Sequence, residues 1–268
     1  MICIFMILSI DIGIRHLAHC LLSNNQTLEI HDWGVVDLTG NKIQCCDSCK
    51  KTATYTHNNT VAYCSVHVKK ARIPILSKTE SVVSLRTMCQ ENGVEWTASD
   101  SKQKLVELLK PKCAIKVERT SASKCDMKLI GMNLLREYSI FDKYQVDTVL
   151  IENQIGPIAN RMKALQGMVI QYWIMKGVTN IHCISSSNKL KLFQTEKISY
   201  KERKQKSIEY TRGCMVQSWR DLFESHSKKD DLADTFLQAL WYLNHNNLLN
   251  ADYLKLIVLT RQYVGRNN

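Results

Sequence analysis

Apolar positions in this chain cluster in two blocks separated by about a hundred residues in which the pattern lapses. In the first block, residues 6–13 and 16–22 read as strands joined at Gly13, whose missing Cβ permits a tight turn or a close backbone approach. Glu29–Leu38 is a third strand with Trp33 at its centre, so an antiparallel meander is expected. The pattern resumes with a helix near 127–142 (Leu129, Met132, Leu135, Tyr138), a strand at 146–152, a helix near 160–176 and a strand at 178–185. That alternation is βαβ-like, and parallel strands are expected from it. A last helix starts near Asp230 and carries Leu232, Phe236, Leu237, Leu240 and Trp241 on one stripe. The fold class expected is α/β: a mixed sheet, antiparallel first and parallel afterwards, flanked by helices.

Two modules occupy the lapse. Cys46 and Cys49 form one Cys-x-x-Cys knuckle, and Cys64 and His67 form a Cys-x-x-His knuckle after 14 intervening residues. That spacing lets two tight turns converge on a tetrahedral zinc ion, with Cys45 and His57 as substitute ligands. Four protein ligands leave no open coordination position, so the zinc is expected to be structural, a staple for a loop-rich insert with little core. The second module spans roughly 77–110. Val82, Leu85, Met88 and Cys89 make one helical stripe, Asn92-Gly93-Val94 a turn, and Leu105, Leu108 and Leu109 a second stripe. Lys102 and Lys104 flank the second helix. This pair resembles the SAP motif, a helix–loop–helix element that grips DNA backbone, although Trp96-Thr97-Ala98-Ser99-Asp100 replaces the usual compact loop. An ordinary helical hairpin is the alternative. The expected organisation is a core of residues 1–40 and 125–268, a zinc-binding insert at 41–75 and a helical insert at 76–112.

Charge adds a partner. Thirty-six Lys and Arg against 25 Asp and Glu give a formal +11, which favours a polyanion, and nucleic acid is the default. Eleven cysteines at scattered spacings do not suggest a disulfide scaffold, so a reducing intracellular compartment is expected. The opening apolar run, Met1 to Leu8, is short, lacks a basic leader and leads straight to Asp11; it reads as a buried strand, with neither a signal peptide nor a mitochondrial presequence evident. The chain is expected to be soluble, without a membrane partner.

Against that background four acids stand out: Asp11 ending the first strand, Glu152 ending the fourth, and Asp231 with Asp234 opening the last helix. A carboxylate at the end of an apolar strand is costly unless a cation or a proton neutralises it. Spacing of three or four places either Asp230 or Asp231 on the face of Asp234. Asp231 is preferred, with Asp230 as second choice. Brought together, such acids would hold two Mg²⁺ (or Mn²⁺) ions about 3.5–4 Å apart, the arrangement that activates water and stabilises the departing oxygen in phosphodiester hydrolysis. Asp11 is the natural bridge, Glu152 serving one ion and Asp231 and Asp234 the other. Taken singly, each acid could instead be a turn residue or a helix N-terminal charge.

With these residues in order, Ile10-Asp11-Ile12-Gly13, Ile151-Glu152-Asn153-Gln154 and Lys228-Lys229-Asp230-Asp231-Leu232-Ala233-Asp234 resemble the RuvC-like Holliday junction resolvases of poxviruses, other large DNA viruses and fungal mitochondria. The resemblance covers about 6–38 and 127–245 and leaves both inserts outside. It implies an RNase H-like fold, a homodimer, metal-dependent paired nicking of four-way DNA junctions, and, for a viral member, action where DNA is replicated in the host cell. By position after the fifth strand, Lys189 or Lys191 resembles the lysine such enzymes keep near the scissile phosphate.

From Ser185 to Arg212, Lys189, Lys191, Lys197, Lys201, Arg203, Lys204 and Lys206 outnumber Glu196 and Glu202 and form the expected phosphate-binding stretch, a solvated helix face being the alternative. Tyr200 and Tyr210 could stack on bases, but buried packing is the better expectation for both. His16, His19 and His31 read as strand residues rather than further ligands. Met162, Leu165, Met168, Val169 and Tyr172 suit either a subunit interface or an ordinary core helix. Two rival functions stay open: another nuclease of the same fold, acting on flaps, RNA–DNA hybrids or transposon ends, and a non-catalytic DNA-binding protein built on the two inserts.

Overall fold

A computed structural model describes residues 5–25, 27–41, 45–49, 51–154, 160–193 and 198–266. Lys197, Glu196 and the first four residues of the opening apolar run therefore lie outside the described residues. In chain order the elements are β1 (Met6–Asp11), β2 (Leu17–Asn24), β3 (Leu28–Val36), β4 (Tyr55–His57), β5 (Val61–Tyr63), α1 (Ser65–Lys70), β6 (Ile75–Leu76), α2 (Val82–Glu91), α3 (Lys102–Leu109), β7 (Ala114–Lys116), α4 (Met127–Tyr138), β8 (Thr148–Glu152), α5 (Asn160–Met175), β9 (Ile181–Ile184), α6 (Tyr200–Cys214), α7 (Arg220–Ser225), α8 (Lys229–His245) and α9 (Ala251–Arg266), with short 3-10 turns between some of them. They fall into two compact units, 1–40 with 121–268, and 41–120.

The larger unit is built on a five-stranded sheet in the order β3-β2-β1-β8-β9. Hairpin connections make β1–β2 and β2–β3 antiparallel, whereas the crossovers through α4 and α5 leave β1–β8 and β8–β9 parallel. This is the RNase H-like arrangement expected from the chain. Because side chains alternate across a strand, β1 serves two cores. Met6, Leu8 and Ile10 pack with Val149, Ile151, Ile130, Leu134, Leu165 and Val169 on the α4/α5 side, while Ile7 joins Leu150, Phe236 and Leu240 on the other. At the β1–β2 turn a Cβ on Gly13 would lie 2.5 Å from the His16 carbonyl oxygen, so a close backbone approach requires glycine there.

Helix α5 buries Leu165, Val169, Tyr172 and Trp173 in the second core, which leaves that stripe to packing rather than to a subunit surface. Exposed apolar side chains of this layer include Leu129, Met132 and Leu135 on α4 and Ile174 and Met175 at the end of α5. Helix α9 lies beyond the last helix expected from the sequence; Ile257 and Val264 belong to the first core. No helix among the described residues is long and apolar enough to cross a membrane.

In the smaller unit, β5-β4-β7-β6 form a four-stranded sheet. Strand β7 follows the α2–α3 hairpin and pairs with β4 from the cysteine-bearing stretch and with β6, so one sheet knits both modules. Leu76, Leu85, Cys89, Leu105, Leu109 and Cys113 make its small core. Ser81 and Ser101 cap α2 and α3 by accepting from the Ser84 and Lys104 amides, and Gly93 takes φ +61° at the turn. Arg86 lies 5.0 Å from the centroid of the Trp96 ring, in the segment that departs from the SAP pattern.

Candidate active site

Two carboxylates are fixed by strand alternation alone. Asp11 and Glu152 are the last residues of β1 and β8, parallel neighbours with Ile10 opposite Ile151. Asp11 keeps the parity of Ile7, and Glu152 that of Leu150, so both project from the face that packs against α8. Helix α8 is held there by Trp33, whose Nε1 donates to the Leu232 carbonyl at 3.0 Å and to Thr235 Oγ1 at 3.3 Å. Its first turns bring Asp231 and Asp234 to the same cleft, a hollow of about 280 Å³ lined also by Gln154, Ser186, Tyr200, Arg203, Lys204 and Ser207.

Lys189 sits at the centre of the acids. Only 4% exposed, it donates from Nζ to Glu152 Oε2 at 2.8 Å and to Asp234 Oδ2 at 2.9 Å, with Asp11 Oδ2 at 3.8 Å. Burial pushes the Asp11 carboxyl well above the usual range; Lys189 opposes this, while the shared hydrogen bond with Glu152 and the nearby charges of Glu152 and Asp234 add to it. Burial acts against ionised Glu152 too, but the hydrogen bond from Asp11 and the Lys189 ammonium outweigh it and hold Glu152 below its ordinary value. Burial would lower Lys189, yet the Asp11, Asp234 and Glu152 charges keep it firmly protonated. Asp231 is raised by burial and by Asp230, with Lys228 working the other way. Four acids against one buried lysine leave negative charge in excess, in keeping with the upward shift of Asp11. A hard divalent cation on these carboxylate oxygens would relieve it, so the donor set fits such an ion.

Asp230 points elsewhere: it pairs with Lys204, which holds it below its usual value against the opposing effect of burial. Arg203 and Lys204 stand at the cleft wall, whereas Lys191 and Lys201 are exposed and Lys206 is half-buried outside it. Lys102 and Lys104 are exposed on the first turn of α3 in the smaller unit. Tyr210 is buried and stacks on Phe193, as expected. Tyr200 is not: it is 66% exposed, with Arg203 and Lys204 within 5.7 and 5.2 Å of its ring centroid. It occupies the first position of α6 after the Ser199 cap, where a side chain projects past the helix end rather than into the core. His19 is buried with Nε2 2.7 Å from Asp32 Oδ1, His31 Nε2 lies 2.8 Å from Ser23 Oγ, and His16 lies in the β1–β2 turn rather than on a strand. Gln154 entered the sequence reading only as part of the Ile151-Glu152-Asn153-Gln154 motif, without a role of its own, and Ser186 was not singled out, since a small polar residue after a strand carries no signal of its own.

Residues 92–247, more than half of the chain, match the family described as poxvirus A22 protein. The chain belongs to that family. Poxvirus A22 proteins are the poxviral group of the Holliday junction resolvase family that the motifs resemble. The uncharacterized protein L451 of Acanthamoeba polyphaga mimivirus is 25% identical, over 88% of this chain and 74% of its own length. Among solved structures, the fowlpox virus Holliday junction resolvase aligns at 12% identity with a TM-score of 0.46, covering 90% of this chain and 99% of that one. The yeast mitochondrial Holliday junction resolvase Ydc2 aligns at 16% identity with a TM-score of 0.44, covering 98% and 86%. Glu152, Lys189, Asp231 and Asp234 lie within the A22-matched stretch; Asp11 precedes it.

Also ahead of the A22 match is the cysteine cluster. The ligand atoms of Cys46, Cys49, Cys64 and His67 all lie within 4.8 Å of one another. Cys49 and Cys64 Sγ are 3.7 Å apart, and His67 Nδ1 is 3.3 Å from Cys64 Sγ and 3.5 Å from Cys46 Sγ. Zinc–sulfur bonds of about 2.3 Å in a tetrahedron demand S···S edges of about 3.8 Å, so the cluster has the dimensions of a zinc cage. Burial opposes ionisation of Cys46, but the Cys64, Ser48 and Cys49 amides aimed at its sulfur pull its thiol down to about 6. Thiolate is the form that binds metal. Cys45 is exposed and bridged to Thr52, and His57 Nε2 lies 3.1 Å from the Pro111 carbonyl, so neither substitute joins the set.

Proposed function

We propose that this chain is a metal-dependent, structure-selective endodeoxyribonuclease that resolves four-way DNA junctions by paired symmetric nicks, acting as a homodimer. The observation that carries the reading is the convergence of Asp11, Glu152, Asp231 and Asp234 on one cleft, with Lys189 buried among them and two cations on its wall. Asp11, Glu152, Asp231 and Asp234 would hold two Mg²⁺ or Mn²⁺ ions. When bound, such ions supply Lewis-acid activation of water and charge stabilisation at the phosphodiester. Asp231 is favoured over Asp230 because Asp230 is engaged by Lys204 and does not line the cleft.

The chain's own groups account for the rest. Lys189 keeps its ammonium at the reaction centre, where it meets the negative charge that accumulates on the phosphoryl oxygens. Arg203 and Lys204 hold the flanking backbone, Tyr200 offers an aromatic face beside them, and Lys201 and Lys206 on α6, with Lys191 in the turn after β9, extend the basic path. Lys102 and Lys104 add phosphate contacts from a SAP-like hairpin. In this reading the nuclease core (1–40, 125–268) carries a structural zinc module (41–75), ligated by Cys46, Cys49, Cys64 and His67, and a helical module (76–112). Exposed Leu129, Met132 and Leu135 on α4 supply apolar surface for the second copy. A two-fold dimer presents two like sites to the two strands a junction resolvase must cut.

The test is Mg²⁺-dependent cleavage of a synthetic four-way junction beside duplex, flap and RNA–DNA hybrid controls, with sedimentation of the chain with and without junction. Paired nicks restricted to the junction and a dimer are expected. Equal cutting of duplex, or a monomer in both states, refutes the resolvase assignment in favour of another nuclease of this fold. Asp230→Asn and Asp231→Asn assayed side by side decide the fourth ligand: only Asp231→Asn should abolish cleavage.

A further inference from the structure

We infer that Gln238 is the positioning residue that sets the register of the acid-bearing helix α8 against the strand carrying Asp11, and through it the affinity of the site for divalent ions; this rests on the nuclease reading above. Gln238 follows Asp234 by four residues and Asp231 by seven, so the three share one helical face. It is 1% exposed. Its Nε2 donates to Ser9 Oγ at 3.1 Å and to the Ile10 carbonyl at 3.3 Å, the two residues immediately before Asp11. A carbonyl can only accept, which fixes the orientation of the amide.

Packing alone does not call for this side chain. Phe236, Leu237, Ala239 and Leu240 around it in sequence are all fully buried, and an apolar residue at 238 would continue their core. The amide instead carries a cost: Gln238 Oε1 is buried with no partner among the described residues. What the polar group adds is direction. Apolar contacts let a helix slide along a sheet by fractions of an ångström at little cost, whereas two hydrogen bonds to β1 at the residues beside Asp11 do not. Trp33 anchors the first turn of α8, and Gln238 anchors the next two turns to the strand that carries the opposing ligand. Ion sites need their ligands held to within about 0.5 Å, and groups that orient ligands typically contribute 10–100-fold to metal affinity or activity.

The decisive experiment is Mn²⁺ binding to the full-length chain without DNA, by electron paramagnetic resonance, in wild type, Gln238→Met and Ser9→Ala. Methionine keeps the length and apolar volume and removes the hydrogen bonds. Gln238→Met should weaken Mn²⁺ binding about tenfold or more, with its melting temperature in metal-free buffer within a few degrees of wild type and its junction affinity retained. Ser9→Ala, which spares the Ile10 bond, should shift binding in the same direction by less, and it carries the test if Gln238→Met does not fold. Leu243→Val, a core change about one and a half turns further along the same helix, should leave Mn²⁺ binding unchanged. Wild-type Mn²⁺ affinity in Gln238→Met, or an equal loss in Leu243→Val, overturns the inference. Since the readout is ion binding, a wild-type chain that binds Mn²⁺ but cuts no DNA would sink the nuclease reading while the positioning role stood; one that binds no Mn²⁺ would sink both.

Discussion

Replacing Lys189 by Met removes the only ammonium within 4 Å of Asp11, Glu152 and Asp234 among the described residues and leaves their charge uncompensated in a cleft where the lysine itself is 4% exposed. Deleting one partner of a buried ion pair costs about 3–5 kcal/mol. These carboxylate side chains are 16–30% exposed and can recover some hydration, and Asp11 can take up a proton, so the lower part of that range, about 3 kcal/mol, is expected. For a unit of this size each kcal/mol moves the melting temperature by about 2–4 °C, which gives a fall of roughly 6–12 °C.

The sign of the pH dependence follows from proton counts. Asp11, raised in the folded state, binds a proton there that the unfolded chain has released, so stability falls as pH climbs from the ordinary carboxylate range towards the folded value. Without Lys189 the opposing influence is gone, and the deficit should widen as pH rises above the ordinary carboxylate range. Calorimetry in resin-treated buffer, free of chelators that would strip zinc, measures it directly. Divalent ions neutralise the same oxygens, so 10 mM Mg²⁺ should restore more stability to Lys189→Met than it adds to wild type. A deficit indifferent to both Mg²⁺ and pH would refute the charge argument.

Three other outcomes are expected. Asp11→Asn, Glu152→Gln and Asp234→Asn should each abolish junction cleavage while leaving junction affinity within about twofold, because phosphate contacts supply the binding; residual nicking by Asp11→Asn above a few per cent of wild type would remove Asp11 from the site. The purified chain should hold one zinc ion resistant to mild chelation, and Cys49→Ser should raise hydrogen exchange across 45–70 without melting the larger unit; elemental analysis finding no zinc contradicts this. Neutralising Lys201, Arg203 and Lys204 together should weaken binding and flatten log affinity against log salt by about two to three contacts' worth, and an unchanged slope would place the DNA elsewhere.

The sequence made the larger unit legible where physical signals were strong. Apolar runs as dense as Ile7–Ile10 and Val149–Ile151 can only be buried strands, and an acid at the end of each has no cheap explanation without a cation. Asp231 and Asp234 were legible from helical spacing, and the zinc-type ligands from knuckle spacing. Three features were not. β6 and β7 are two and three residues long, too short for any periodicity, so the sheet that joins the two modules was invisible. Lys189 could not be told from Lys191 until the turn after β9 showed one buried among acids and the other exposed. Gln238 reads as a polar interruption of an apolar stripe, and only the position of Ser9 and Ile10 beneath it gives it a purpose.

The smaller unit begins and ends at a single doorway. Asn41 donates from Nδ2 to the Thr120 carbonyl at 2.9 Å, and the Thr120 amide returns a hydrogen bond to Asn41 Oδ1 at 2.9 Å. A segment whose ends already touch behaves like a graft: lengthening, shortening or exchanging what lies between them leaves the closure cost of the host chain almost unaltered. Such a segment can be acquired, lost or retuned for a new partner in a lineage without disturbing the acids of β1 and β8. The same geometry recommends it to the engineer, since residues 41–120 could be cut out with their termini adjacent, or replaced by a bridge of a few residues.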